Sequence, residues 1–375
     1  MNVFVYTTIL VFVLFYIGHK PVKSPAVGEE KAIVRDTYMV AFVLGTALLA
    51  FVSGQRFAFG DTTAYIKYFN NAMPIDQCLS SFAIGNEWLF QLYMSFIHTY
   101  ITTDPRVYIE ITAYLTIFPL LYFLYNYSGD LRFAFYLFVV SGCWEQSMNG
   151  LRQYLAAAIL AACFPLLVKK RWYLYLPIVF VAAQMHTSAY IFIPLYFIAN
   201  TKAFGKITWT IIIIGMLVVV TSPFTGNFVS SLLSKTDYGT KYGSSTWQYS
   251  INIFRVMVAI VPVVLAYVNR RRMRNKYKYY DAVFNMSLFF AVFTAAGILS
   301  AVYARFNLYF EIYTVVLLVW NINEMTKYEN YKWIKPAACI CYALFFLYQM
   351  LGTYHLNWHE DHLFFVDDWS KISWL

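Results

Sequence analysis

The stretch "SMNGLRQYLAAAIL" (147–160) places a guanidinium and an amide, Arg152 and Gln153, at the head of an apolar run, with the Glu145 carboxylate just upstream. Charge at the edge of a hydrocarbon-like segment is costly to desolvate, so it tends to mark a binding site or a pathway. Similar groups recur along the chain. Arg56, Asp61 and Glu87 lie between the second and third long apolar runs, His186 interrupts "AAQMHTSAYIF", Arg255 lies inside an apolar run, and Arg305 opens another that contains Glu311. Gathered on one cavity, Arg56, Arg152, Arg255 and Arg305 would clamp a diphosphate, because the planar guanidinium fork meets two phosphoryl oxygens at once. Asp61, Glu87 and His186 are the groups that would accept a proton in such a site. Taken singly, each has a plainer reading. Arg56 and Arg305 would snorkel to headgroups, Glu311 would pair with an arginine to hold a bundle, and His186 would be a hydrogen-bonded core residue.

The elements that must carry these groups are apolar helices. Of the 375 residues, 60% are apolar and only 13% charged, and the apolar residues come in long runs rather than on amphipathic faces. That pattern excludes a soluble globular chain and predicts an all-α polytopic membrane protein. At roughly 20 residues per crossing, about twelve spans are expected. They lie near 2–18, 38–53, 107–125, 131–146, 149–168, 172–185, 187–200, 207–222, 249–268, 281–300, 303–322 and 335–354, all within one transmembrane domain over 1–375. The stretch 88–103 is left over as a re-entrant or interfacial segment.

The net charge of +9 does not point to nucleic acid, because the basic residues sit in short loops and read as orientation signals. "NRRRMRNKYK" (269–278), "KKR" (169–171) and "NEMTKYENYKWIK" (323–335) mark the cytoplasmic side. Both termini, the loops 54–106 and 223–248, and the tail 355–375 are then external, with His186 in a recess open to that side. The first run has no basic residue before it and no small-x-small site behind it, so it is expected to stay as a span.

The cysteines show no metal-ligand or disulfide spacing. His355, His359 and His362 fall at helical spacing in the tail but read as part of an interfacial, aromatic segment. No metal and no cofactor is expected. Aromatic residues make up 21% of the chain, including 33 tyrosines, and many lie in the external segments, where they suit carbohydrate rings.

Five segments together, "QRFAFGDTTAYIKYF", "NEWLFQLY", "NGLRQYLAAAIL", "AAQMHTSAYIFIPLY" and "ARFNLYF", resemble the EpsG family of Wzy-like polysaccharide polymerases of bacterial plasma membranes. The resemblance runs over about 35–325, and its most specific parts are the Arg-Gln pair and the His-x-Ser-Ala element. It implies a GT-C-like helical fold. The activity it implies is glycosyl transfer from a polyprenyl-diphosphate-linked glycan to a lipid-linked repeat unit, outside the plasma membrane. The implied site residues are Arg56, Asp61, Tyr65, Glu87, Arg152, Gln153, His186, Ser188 and Arg305, and Arg255 joins them from the charge pattern. The partners would be the lipid-linked oligosaccharide and membrane lipids, with room for a chain-length regulator. Gly60-Asp61 is tighter than the family's usual Gly-x-Asp. Two rivals stay open: a flippase for lipid-linked oligosaccharide, and a membrane O-acyltransferase acting on a glycan.

Overall fold

The computed structural model describes residues 2–17, 33–81, 87–217, 221, 251–299 and 301–353. The loop 223–248 and the tail with its histidines lie outside them. Among the described residues the chain is helical, with no strand. Three helices are long and apolar enough to cross a membrane by length and composition: Pro105–Tyr127, Ile253–Lys276 and the run Glu329–Gly352. Shorter apolar helices accompany them. The chain divides into two compact units, one of Met1–Phe164, Tyr173–Tyr190 and Trp333–Leu375, the other of Pro165–Trp172 and Ile191–Lys332.

The first unit is built on α1 (Asn2–Ile17), α2 (Ile33–Gly54), α3 (Thr62–Asn70), α4 (Ile75–Ser80), α5 (Trp88–Tyr100), α6 (Pro105–Tyr127), α7 (Leu131–Val140), α8 (Cys143–Ser147) and α9 (Leu151–Ala162). α6 starts where the Asp104 carboxylate accepts from the Arg106 N–H at 2.9 Å, with Pro105 at the first helical position, where a missing donor costs nothing. α2 packs along α6 so closely that a Cβ on Gly54 would lie 2.9 Å from the Glu110 Cα. α7 is capped by Asp130, which accepts from the Phe133 N–H at 3.2 Å. The same carboxylate pairs with Lys335 at 2.6 Å, and the Tyr136 hydroxyl donates to the Cys339 carbonyl at 2.6 Å. These two bonds bind α7 to the late helix Ile334–Tyr348.

The second unit contains Phe192–Ala199, Lys206–Leu217, Ile253–Lys276, Tyr280–Ala296, Ala301–Arg305 and Glu311–Met325. Its polar groups sit where helices end or cross. The Asn285 amide donates to the Ile198, Ala199 and Thr201 carbonyls at 3.2, 3.0 and 2.8 Å, closing the C-terminal turn of Phe192–Ala199. Helix ends away from water need such partners. Asn269 donates to Asn321 at 3.2 Å, and Tyr277 stacks on Trp320 at 4.3 Å between ring centres.

Several expected spans are divided differently. The run 131–146 breaks at Gly142, whose φ of +104° turns the chain between α7 and α8. The run 149–168 breaks after Ala162 into α9 and the short α10 (Phe164–Val168). The run 303–322 begins its long helix only at Glu311, after the short helix ending at Arg305 and a 3₁₀ turn over Phe306–Tyr309. Arg305 thus ends a helix instead of opening a span, and Glu311 is the first residue of its helix. Arg255 lies in the first turn of Ile253–Lys276 and not two turns inside a span, because that helix starts later and continues through the arginine run. The stretch 54–106, read as a loop, carries α3, α4 and α5.

Candidate functional site

Two residues past the end of α2, Arg56 is 2% exposed, which removes the snorkelling reading. Its Nε donates to the Thr62 hydroxyl at 3.1 Å, and its Nη1 donates to the Ser53 carbonyl. Burial lowers its guanidinium to about 10, with the Asp61 carboxylate opposing that shift, so it stays charged at neutral pH. The Trp144 indole donates to Ser53 Oγ at 2.9 Å and locks the same corner from α8.

The Gly60–Asp61 corner is pressed against the start of α9. Gly60 has a φ of +61°, and a Cβ there would meet the Asn149 Cβ at 2.9 Å. Asp61 Oδ2 accepts from the Gly150 N–H at 2.9 Å, and Gly150 itself holds a φ of +85°. Only glycine adopts such angles without strain. The two glycines and the carboxylate therefore set the direction from which α9 delivers Arg152 and Gln153.

α3 follows with Thr62, Tyr65, Ile66 and Phe69 buried, the spacing of one helical face. That face packs on a cluster with Phe90, Met94, Tyr108, Ile109, Leu151 and Leu155. Phe69 stacks flat on Tyr108 at 4.4 Å between ring centres. Tyr65, 5% exposed, receives a hydrogen bond from Arg152 Nε at 3.2 Å. Burial raises the Tyr65 hydroxyl well above its ordinary range, so it remains protonated.

Arg152 is the centre of the arrangement. Its guanidinium lies 5.8 Å from the Tyr65 ring centre and 5.6 Å from that of Phe90, and its Nη1 is paired with Glu87 Oε2. It pairs with Glu87, 65 residues away, while Glu145 is fully buried and accepts from Gln349 Nε2 at 3.1 Å. About a quarter of the Arg152 side chain is exposed (23%), the largest share among the charged groups paired here.

Glu87 stands just before α5 in the left-handed region, at φ 52° and ψ 39°, an unusual conformation for a residue with a Cβ. Its Oε1 accepts from the Thr187 N–H at 3.1 Å and lies 3.8 Å from His186 Nδ1. One carboxylate thus joins α9 to the turn after α11 (Trp172–Met185). His186 is 7% exposed, and its Nδ1 meets the Ser188 N–H at 3.2 Å and Ser188 Oγ at 2.8 Å.

Arg56, Asp61, Tyr65, Glu87, Arg152, Gln153 and His186 all belong to the first unit, and the contacts above join Arg56 to Asp61 through the Thr62 turn, Asp61 to α9, and Arg152 to Tyr65, Glu87 and the His186 turn. Gln153 is buried on α9. Arg255 and Arg305 belong to the second unit, the former half-buried and the latter exposed. Sequence reasoning missed Thr62, Phe90, Tyr108, Gly150 and Thr187. Gly150 and Thr187 lie inside quoted segments, but each contributes a backbone N–H, to Asp61 and Glu87 respectively, which a residue type cannot advertise. Among the described residues no cluster of His, Cys, Asp and Glu is arranged to hold a metal ion.

The model of the EpsG family matches residues 39–361, most of the chain. No curated protein and no solved structure matches it.

Proposed function

The chain belongs to the EpsG family, a group of polysaccharide-polymerase-like membrane proteins, and from that premise we propose that it extends a glycan by joining lipid-linked repeat units on the outer face of a bacterial plasma membrane. The donor is a glycan on polyprenyl diphosphate, and the acceptor is a hydroxyl of a lipid-linked repeat unit. The bond from the donor's anomeric carbon to the diphosphate oxygen breaks as the bond to the acceptor oxygen forms. The diphosphate leaves with the electron pair, and the acceptor's proton passes to a carboxylate.

The observation that carries this reading is Arg152: a partly exposed guanidinium on a short helix, braced by Glu87, Tyr65 and Phe90. Charge builds on the diphosphate as its bond breaks, and a fixed cation aimed at that charge lowers the barrier without having to reorganise. Bracing keeps the guanidinium plane in place, and a guanidinium fork suits phosphoryl oxygens. Buried Arg56 adds positive potential behind Asp61. Asp61 and Glu87 are the carboxylates within the first unit that this reading offers for the acceptor's proton. This reading carries with it the external placement of both termini and a polyprenyl-linked oligosaccharide partner.

The test is the fate of lipid-linked glycan in cells lacking the protein. Loss of a polymerase leaves single repeats facing outward, and that is the expected result. Single repeats retained on the inner face would identify a flippase instead, and full-length polymer lacking acyl groups would identify an acyltransferase.

A further inference from the structure

We infer that the C-terminal end of the helix Ile253–Lys276 binds the headgroup of an anionic phospholipid through Arg271 and Arg272. The inference concerns the second unit and does not depend on the reaction proposed above.

The helix has two faces. Ala259, Pro262, Ala266, Asn269 and Met273 are buried at alternating steps of three and four residues, the spacing of one helical face. On the opposite side Met257, Val261, Val264 and Val268 are exposed at the same spacing. Arg271 and Arg272, both exposed, straddle the continuation of that stripe. An α-helix rises 1.5 Å per residue, so Arg271 lies only about 5 Å beyond Val268 along the axis. In a bilayer the apolar stripe lies against acyl chains, and the guanidinium groups one turn further on lie where such chains end in phosphates. Tyr267, exposed at the same level, is of a type that favours the membrane–water interface. A soluble polyanion would meet the charge and leave the stripe without a role, so the pairing of stripe and charge points to a lipid.

The charge balance selects the kind of headgroup. Six cations fall within 270–278. Arg274 pairs with Asp281 at 3.2 Å and Lys276 with Glu324 at 2.9 Å. Among the described residues no carboxylate is paired with Arg271 or Arg272. The Arg272 guanidinium lies 4.6 Å from the Tyr328 ring centre, a contact that holds it without neutralising it. Arg270 beside them turns back on its own helix, donating to the Tyr267 carbonyl at 2.7 Å with its guanidinium 4.1 Å from the Tyr267 ring centre. A zwitterionic headgroup would bring an ammonium group up to this cationic end, where like charges repel. An anionic headgroup brings its phosphate without that penalty. The end of the helix is also held in place, by Asn269 on Asn321, Tyr277 on Trp320 and Lys276 on Glu324, and groups fixed before binding lose less freedom when they bind.

The test is a titration of the detergent-solubilised full chain with phosphatidylglycerol or with phosphatidylcholine of the same acyl chains, with bound lipid followed by native mass spectrometry. Phosphatidylglycerol is expected to bind about tenfold or more tightly than phosphatidylcholine. A basic residue near an anionic lipid surface contributes roughly a fivefold gain in binding, so Arg271→Gln and Arg272→Gln together should weaken phosphatidylglycerol by roughly 30-fold and leave phosphatidylcholine unchanged. Lys332→Gln, which removes an exposed charge paired with Glu329, should change neither. Should loss of the Tyr328 contact unsettle the double variant, Arg271→Gln alone must still lose about fivefold. Equal affinity for the two lipids overturns the inference, as does undiminished phosphatidylglycerol binding by the arginine variants. Displacement of the lipid by millimolar glycerol phosphate overturns it too, since the arginines would then take a free phosphate as readily as a lipid.

Discussion

At the scale of single residues, the site is a set of braces around Arg152. Glu87→Gln removes the charge that pairs with it while keeping an oxygen for the Thr187 N–H. Hydrogen bonds to charged groups contribute about 1.5–3 kcal/mol, so polymer output should fall on the order of 10- to 100-fold at an unchanged protein level. Tyr65→Phe removes only the hydroxyl that accepts from Arg152 and keeps the ring under the guanidinium. It should cost about 0.5–1.5 kcal/mol, less than or near tenfold in rate. If the two substitutions were equally damaging, the carboxylate would not be the main brace. The arginine, the amide and the histidine were legible in the sequence because polar groups stand out in apolar runs. Which of the candidates pair with one another was not. Glu87 and Arg152 are far apart along the chain, and only the packing of α3 and α5 on α9 brings them together. Tyr108 was invisible for a related reason, since one tyrosine among 33 gains meaning only from stacking on Phe69.

At the scale of elements, the Gly150 turn controls the aim of α9. Gly150→Ala forces a side chain into φ +85°, at a cost of about 1–3 kcal/mol, and disturbs the bond to Asp61. Thermal unfolding of the detergent-solubilised protein should show a lower midpoint, and activity should fall further than Tyr65→Phe makes it fall. A midpoint equal to that of the unsubstituted protein would mean that the turn relaxes freely. The apolar runs gave good bounds where a helix is uninterrupted, as for 172–185 and nearly so for 107–125. They misled where hydropathy and helicity part. Gly142 breaks a run that had been read as one span, and the arginines after Tyr267 continue a helix whose hydropathy has ended, since Arg and Lys are good helix formers.

At the scale of the whole molecule, the two units are helical and strongly apolar, and the family assignment makes this an integral membrane protein. The orientation proposed from the basic loops has a direct check. Lys67 on α3 and Arg272 at the end of Ile253–Lys276 are both exposed, so single cysteines there are reachable in a background without the native ones. In intact cells an impermeant thiol reagent should label Lys67→Cys and spare Arg272→Cys. The opposite pattern would invert the topology and move the site to the cytoplasmic side, where a polymerase of externally displayed units has no use for it. The all-helical, apolar fold class was readable from composition, whereas the division into two units arises from contacts between distant segments that no local pattern encodes.

The claim on which the rest depends is that Arg152 grips a diphosphate with its fork and not merely with its charge. The most direct measurement is polymer produced per membrane-inserted protein when Arg152→Lys is the sole copy. Lysine keeps the charge but offers a point donor in place of a planar pair. The expected result is normal insertion with a loss of about 2–4 kcal/mol in transition-state stabilisation, on the order of 30- to 1000-fold in rate, together with outward-facing single repeats. Normal polymer from a normally inserted Arg152→Lys protein would contradict the account and leave Arg152 with a structural role beside Glu87 and Tyr65.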